Sequence, residues 1–164
     1  MNNCKSFKPS IDNNSKVLIL GSMPGVKSLE EQQYYAHPQN RFWKVMGSIC
    51  NEPKLSEHDY ETKLQILLNN NIALWDTIKS CKRDGSLDSD IKNEEPNNIR
   101  KLLKKYPNIK IICLNGNKSY SAFKKYFPDL LKKYSCHRMP STSPANARYS
   151  LDILIKEWSE IVLK

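Results

Sequence analysis

Short aliphatic runs alternate along most of the chain with stretches in which apolar residues recur every three or four positions. Val17-Leu18-Ile19-Leu20 is apolar on both faces, the pattern of a strand covered by helices on both sides. Ile72-Ala73-Leu74-Trp75, residues 109–114 and residues 135–139 are three further strand candidates. Between them lie helical stripes. Phe42, Met46 and Ile49, widened by Trp43, share a face of a helix that begins near Asn40. Tyr60, Leu64, Leu67 and Leu68 form the next stripe, opened by Ser56-x-x-Asp59 as a capping box and ended by Asn69-Asn70-Asn71. Ile99, Leu102, Leu103 and Tyr106 follow a helix start placed at Pro96 and stop at Pro107. Tyr120, Phe123 and Phe127 line a short helix, and Leu151, Leu154, Ile155, Trp158, Ile161 and Val162 line the last one.

This alternation predicts an α/β fold with a parallel sheet between two helical layers. In such sheets ligands bind outside the C-terminal ends of the strands. Four polar or Gly/Pro-rich loops are expected to meet there: 21–25, 76–80, 115–118 and 140–146. The second of these continues into a long polar loop through Asp88. Residues 1–15 read as a loose polar leader and residues 16–164 as a single domain, without repeats.

Charge adds a hint about partners. Twenty-six Lys and Arg against seventeen Asp and Glu give a formal net charge of +9, which favours a polyanion. Many of the lysines, Lys101, Lys104, Lys105, Lys124 and Lys125 among them, fall on helix surfaces or in loops, where a solvated basic face is the commoner explanation. Five scattered cysteines, Cys4, Cys50, Cys81, Cys113 and Cys136, form no C-x-x-C pair and read as reduced thiols. No apolar run reaches the ~18 residues of a membrane span. The expectation is a soluble, cytoplasmic protein with no membrane partner.

Several loop residues carry candidate chemistry, each beside a plainer role. Gly21-Ser22-Met23-Pro24-Gly25 has the spacing of neither a phosphate-cradling loop nor a dinucleotide turn. It reads as an ordinary strand-to-loop turn or as backbone N–H and C=O groups brought close to a flat ligand. Asn40 reads as a helix cap or as a neutral amide that holds a water. Tyr34 and Tyr35 read as core or as a stacking surface, and His37 as a loop residue or a base. Ser141-Thr142-Ser143-Pro144-Ala145-Asn146-Ala147-Arg148 reads as the loop capping the last helix or as contacts to a phosphate backbone. Asp76 and Asp88 read as loop caps or as groups that reach the site.

Taken in order, Gly21-Ser22-Met23-Pro24-Gly25, Tyr35-Ala36-His37-Pro38-Gln39-Asn40-Arg41-Phe42-Trp43 and Ser141-Thr142-Ser143-Pro144-Ala145-Asn146 resemble motifs of the uracil-DNA glycosylase superfamily. Within it they resemble the hypoxanthine-DNA (deoxyinosine) glycosylases. Leu74-Trp75-Asp76, Gly85-Ser86-Leu87-Asp88 and Leu114-Asn115-Gly116-Asn117 fall at that family's intermediate blocks, so the resemblance spans residues 17–158. It implies a three-layer α/β/α sandwich around a four-stranded, mainly parallel sheet. It also implies a monomeric, monofunctional enzyme of base excision repair that flips a deaminated base, above all hypoxanthine, out of DNA. That enzyme hydrolyses the N-glycosidic bond without metal or cofactor.

Carried over residue by residue, the resemblance makes Gly21, Ser22, Met23, Pro24, Gly25 and Asn115 the base pocket and Tyr35 its stacking face. Asn40 becomes the catalytic residue that positions water. Ser141, Thr142, Ser143, Pro144, Ala145, Asn146 and Arg148 become the DNA clamp, which also fills the gap left by the flipped nucleotide. Three positions depart from the pattern. Met23 stands where several relatives have a water-orienting Asp or Asn, Ser141 where the uracil-specific enzymes have His, and Ala145 where they have a wedge leucine. These departures move the chemistry to Asn40 and away from uracil. The rival readings are a mismatch-specific uracil or xanthine glycosylase, a non-catalytic nucleic-acid-binding module and a small-molecule hydrolase on the same architecture.

Overall fold

The computed structural model describes residues 2–164. In chain order the elements are β1 (Asn2–Lys5), β2 (Val17–Gly21), α1 (Val26–Glu31), α2 (Phe42–Ile49), α3 (Tyr60–Asn69), β3 (Ile72–Asp76), β4 (Ile78–Arg83), β5 (Lys92–Pro96), α4 (Ile99–Lys105), β6 (Ile111–Asn115), α5 (Asn117–Tyr126), α6 (Pro128–Lys133), β7 (Ser135–Met139) and α7 (Leu151–Val162). The α/β expectation holds: four strands pair in parallel in the order β3-β2-β6-β7.

The doubly apolar run of β2 explains the layering. Side chains alternate across a strand, so Val17 and Ile19 join one core with Phe42, Met46, Leu67, Leu154 and Trp158 of α2, α3 and α7. Leu18 and Leu20 point the other way and join a second core with Leu102, Leu103, Phe123 and Leu130 of α4, α5 and α6. All five residues of β2 are buried. The register sets Gly21 beside Asp76 and Asn115 beside Met139, so the four strands end level with one another.

Several local expectations are corrected. Asp59, not Ser56, caps α3: its carboxylate accepts from the Thr62 N–H, while Ser56 lies in a separate short turn over Leu55–Glu57. Pro96 ends β5 rather than opening α4, whose cap is Asn98, accepting from the Lys101 N–H. The helix before the last strand is two helices, because Pro128 starts α6 directly after Phe127.

The polar leader and the long polar loop are likewise not loose. β1, β4 and β5 form a second, antiparallel three-stranded sheet in the order β1-β4-β5. Beyond β1, Ser10 bridges Leu74, and the Trp75 indole donates to the Phe7 carbonyl. Met1 of the leader lies outside the described residues. The pairing of β1 with β4 is long-range, between residues about eighty positions apart, while β4 and β5 pair as a hairpin of polar strands, and the local pattern carries little of either. Along β4 only Ile78, Cys81 and Arg83 are buried.

Candidate active site

One cavity of about 1050 Å³ opens at the C-terminal ends of the parallel strands, and the last residue of each strand lines it: Gly21, Asp76, Asn115 and Met139. The cavity therefore sits where a parallel sheet presents its loops.

Its first wall is the 21–25 turn. The carbonyls of Gly21 and Ser22 accept from the Thr77 and Ile78 N–H groups, that of Gly25 from the Leu29 N–H, and that of Pro24 from the Arg83 guanidinium. With these carbonyls engaged, the turn has mainly N–H groups left for a ligand. A hydrogen-bonding edge of both polarities is thus narrowed to one that favours negative charge. Met23 is buried in a cluster with Cys4, Ile78, Cys81 and Ala122, so this position packs the second sheet as well as lining the cavity.

Glycine is required at position 21 by close approach. A Cβ there would lie 2.6 Å from Asp76 Oδ1 and 3.2 Å from the Tyr35 hydroxyl oxygen. These two polar groups therefore flank the first glycine of the turn. Asp76 is 3% exposed, and Ser6 of the N-terminal segment donates to its Oδ2 at 3.0 Å. Burial pushes its carboxyl up to about 7; the Ser6 hydroxyl and the Arg83 guanidinium pull it back, and the Asp88 carboxylate adds to the rise. Near neutral pH, Asp76 thus exchanges between proton donor and acceptor.

The second wall is aromatic. Tyr35 adopts a left-handed backbone, φ 55°, a costly conformation for a tyrosine, found where surrounding structure enforces it. Here the neighbours do so: Tyr34 N–H donates to the Tyr60 hydroxyl, Ala36 N–H to Ser28 Oγ, and the Trp43 indole to the Tyr34 carbonyl. The Tyr35 ring lies on that of Phe42 at 3.9 Å and 16°, so a planar ligand must use its other face. Burial raises the Tyr35 phenol, and Asn115 Nδ2 donates to its oxygen at 3.3 Å.

Asn40 stands just before α2 and borders the cavity. Its Oδ1 accepts from the Phe42 N–H at 2.9 Å, one residue before the Arg41 N-cap of α2, and the residue is part of the cavity lining. The backbone donor fixes which end of the amide is oxygen. His37 also lines the cavity, but its Nδ1 accepts from the Gln39 N–H within its own turn.

The third wall is the loop after β7. Asn115 grips it twice: Nδ2 donates to Thr142 Oγ1 and Oδ1 accepts from the Thr142 N–H, both at 3.1 Å. Arg41 staples it through the carbonyls of Ser143, Asn146 and Tyr149. Ser141, Thr142, Ser143, Pro144, Ala145 and Asn146 all line the cavity; Arg148 is exposed and outside the lining. The cap of α7 is Ser150, so Asn146 is not needed for it.

The structure brings together every residue assigned to the base pocket and every one assigned to the clamp except Arg148. Sequence reasoning missed Arg41 as the staple and Arg83 behind the first wall. Arg41 lies inside a motif yet acts on residues about a hundred positions away, and Arg83 sits in a stretch that reads as solvated loop. Asp76 had a legible signal, since it directly follows the aliphatic run of β3. Among the described residues no group of three or more His, Cys, Asp or Glu is arranged to hold a metal ion.

The comparisons with known proteins agree with this geometry. The family model described as the Uracil DNA glycosylase superfamily matches residues 9–161. A curated relative from Methanosarcina barkeri, named Hypoxanthine DNA glycosylase, is 41% identical over 157 residues, covering 95% of this chain and 96% of the relative. A protein of the same name from Methanosarcina acetivorans is 40% identical over 147 residues, covering 89% and 90%. A solution NMR structure of a candidate uracil DNA glycosylase from Methanosarcina acetivorans superposes with a TM-score of 0.84 at 38% identity, covering 98% of this chain and 97% of that one. By sequence and by fold, the chain belongs to the uracil DNA glycosylase superfamily.

Proposed function

We propose that this protein is a DNA glycosylase that flips a deaminated base, hypoxanthine foremost, out of DNA and hydrolyses its N-glycosidic bond. The observation that carries the reading is the gathering of the 21–25 turn, the Tyr35 ring, the buried Asp76 carboxyl and Asn40 around one cavity at the ends of four parallel strands. The relatives named hypoxanthine DNA glycosylase support the choice of base. We take the protein to act as a cytoplasmic monomer formed by one domain that takes in the N-terminal strand β1 together with residues 16–164. The described residues contain no helix long and apolar enough to cross a membrane.

The chemistry follows from the charges that develop. As the glycosidic bond lengthens, the sugar becomes positive and the base negative; N–H groups of the 21–25 turn, pre-aimed at the base, stabilise that anion without reorganising. Hypoxanthine presents an N–H at N1 and a carbonyl at C6. Ionised, Asp76 accepts from the first; protonated, it donates to the second. The base stacks on the free face of Tyr35, which offsets part of the cost of extruding it. Asn40 holds the attacking water through its amide, with no strong base needed where departure runs ahead of attack. Asn115 borders the base pocket while fixing the clamp. Ser141, Thr142, Ser143, Pro144, Ala145 and Asn146 grip the strand, with Arg148 reaching the phosphates beyond it.

Incubating the protein, with EDTA present, with an oligonucleotide carrying one deoxyinosine is expected to leave alkali-labile abasic sites. Parallel uracil and xanthine substrates rank the specificities. Binding without product would establish the non-catalytic module instead. Asn40→Ala is expected to slow turnover by on the order of a hundredfold, and also to lose about 1 kcal/mol of stability with the bond to the Phe42 N–H. Asn40→Asp separates the two effects, because it keeps that acceptor and removes the amide donor. A fully active Asn40→Asp would remove Asn40 from the mechanism.

A further inference from the structure

Two exposed apolar side chains, Val26 at 42% and Leu87 at 55%, lie on the lining of the cavity. Leu87 stands at the tip of the connection between β4 and β5, and its neighbours on both sides are fastened down. Ser86 Oγ accepts from the Val26 N–H at 2.8 Å, and Ser22 Oγ donates to Asp88 Oδ1 at 2.6 Å. The Leu87 carbonyl accepts from the Asp90 N–H, closing a short turn over Asp88–Asp90. Gly85, at φ +77°, turns the chain into the tip, and Gly25 lets it close in: a Cβ there would meet Ser86 Oγ at 3.2 Å. The loop is pinned to the wall of the cavity on either side of one leucine and leaves that side chain outside.

Two of the carboxylates around the tip are engaged by hydrogen bonds. Asp88 is held by Ser22, and Asp84 accepts from the Asn2 N–H. The apolar group that the tip presents to a partner is the isobutyl group of Leu87, with Val26 exposed on the same lining.

Resting on the glycosylase reading above, we propose that Leu87, backed by Val26, is the wedge that enters the DNA stack where the extruded nucleotide stood. A flipped base leaves an apolar gap between its former neighbours, and inserted apolar side chains stabilise such unstacked steps. The loop after β7 is poorly equipped for this, because its exposed tip offers Pro144 and the single methyl of Ala145. Strand order supports a division of labour. β3, which leads into β4 and this tip, lies at one edge of the parallel sheet, and β7, which leads into residues 141–146, lies at the other. The strand is then gripped from one edge and the gap filled from the other.

A wedge is needed only where a stack must be held open, so the test compares duplex with single-stranded deoxyinosine substrates of one sequence. Leu87→Ala is expected to lower the duplex excision rate by about tenfold while single-strand excision stays within about twofold. Leu87→Phe is expected to keep the duplex rate. The side chain is exposed, so the melting temperature should not move. With 2-aminopurine beside the lesion, the fluorescence rise on binding should fall in Leu87→Ala. That readout needs no excision, so a protein that binds without cleaving still tests the wedge, whereas absent excision by the parent protein would overturn the glycosylase reading alone. An unchanged duplex-to-single-strand ratio, an equal loss on both substrates, or a shift produced by Pro144→Ala and not by Leu87→Ala would each overturn the wedge.

Discussion

The two sheets of this molecule are built by opposite rules. The parallel sheet is apolar on both faces and sealed between helices; β2 exposes almost nothing. The antiparallel sheet is thin and polar: of β1 only Cys4 is buried, and no residue of β5 is fully buried. The first sheet holds the fold and sets four strand ends level. The second contributes little core, yet Ser6 follows its first strand, Arg83 ends its second, and the Leu87 tip joins its second to its third. Stability is concentrated in one sheet, and the shaping of the cavity in the other.

That contrast breaks most visibly in the core. Leu20→Ala, at a fully buried β2 position packed against Phe123 and Leu114, is expected to cost about 3 kcal/mol in chemical denaturation. Lys82→Ala, exposed on β4, should stay within about 0.5 kcal/mol. Comparable losses at the two sites would mean that the sheets share the work of stability.

Asp76 lies where the two sheets meet. Its folded carboxyl keeps a proton up to about pH 7, whereas in the unfolded chain it ionises near its ordinary 3.8. Between those values the folded state binds the extra proton, so stability falls as pH rises from about 4 to about 7 and is level above. Asp76→Asn should flatten that decline and gain about 2 kcal/mol over the parent at pH 8 relative to pH 5. Urea melts at the two pH values decide it; a variant with the parent's slope would place the titration elsewhere.

A small expected stability change, at Arg83, is the most informative about the second sheet. Arg83 is 1% exposed, with Nε and one terminal nitrogen unpartnered. Arg83→Met loses the bond to the Pro24 carbonyl but also relieves those buried donors, so the net change should be within about 1 kcal/mol. Deoxyinosine excision should nevertheless drop by about tenfold, because the first wall is no longer held. A loss of stability without loss of activity would reverse the roles assigned to the two sheets.

Particular residues show where sequence reading works. Residues 17–20 and 72–75 announced buried parallel strands, because a strand covered on both faces must be apolar throughout. The 21–25 turn and the segment carrying Tyr35 and Asn40 were legible as site elements, since their glycines, prolines and amides sit directly after such runs or at a helix start. β4 and β5 were not legible. Both are polar segments that pair with each other as a hairpin and, through β4, with β1 about eighty positions away, and Pro96, which reads as a helix opener, instead ends an edge strand, where no ladder donor is needed.

The sequence by itself determined the sheet, its two helical layers, the location of the site and the residue types that gather there, because burial on both faces and the helical period are written in local order. Only the tertiary structure decided what those residues offer. It turned the carbonyls of the first wall inward, placed Asp76 against Gly21, engaged one face of Tyr35 with Phe42, gave Arg41 the clamp loop to hold and left Leu87 standing at the rim. Most of these depend on contacts between residues distant in the chain, and such contacts exist only once the core has brought them together.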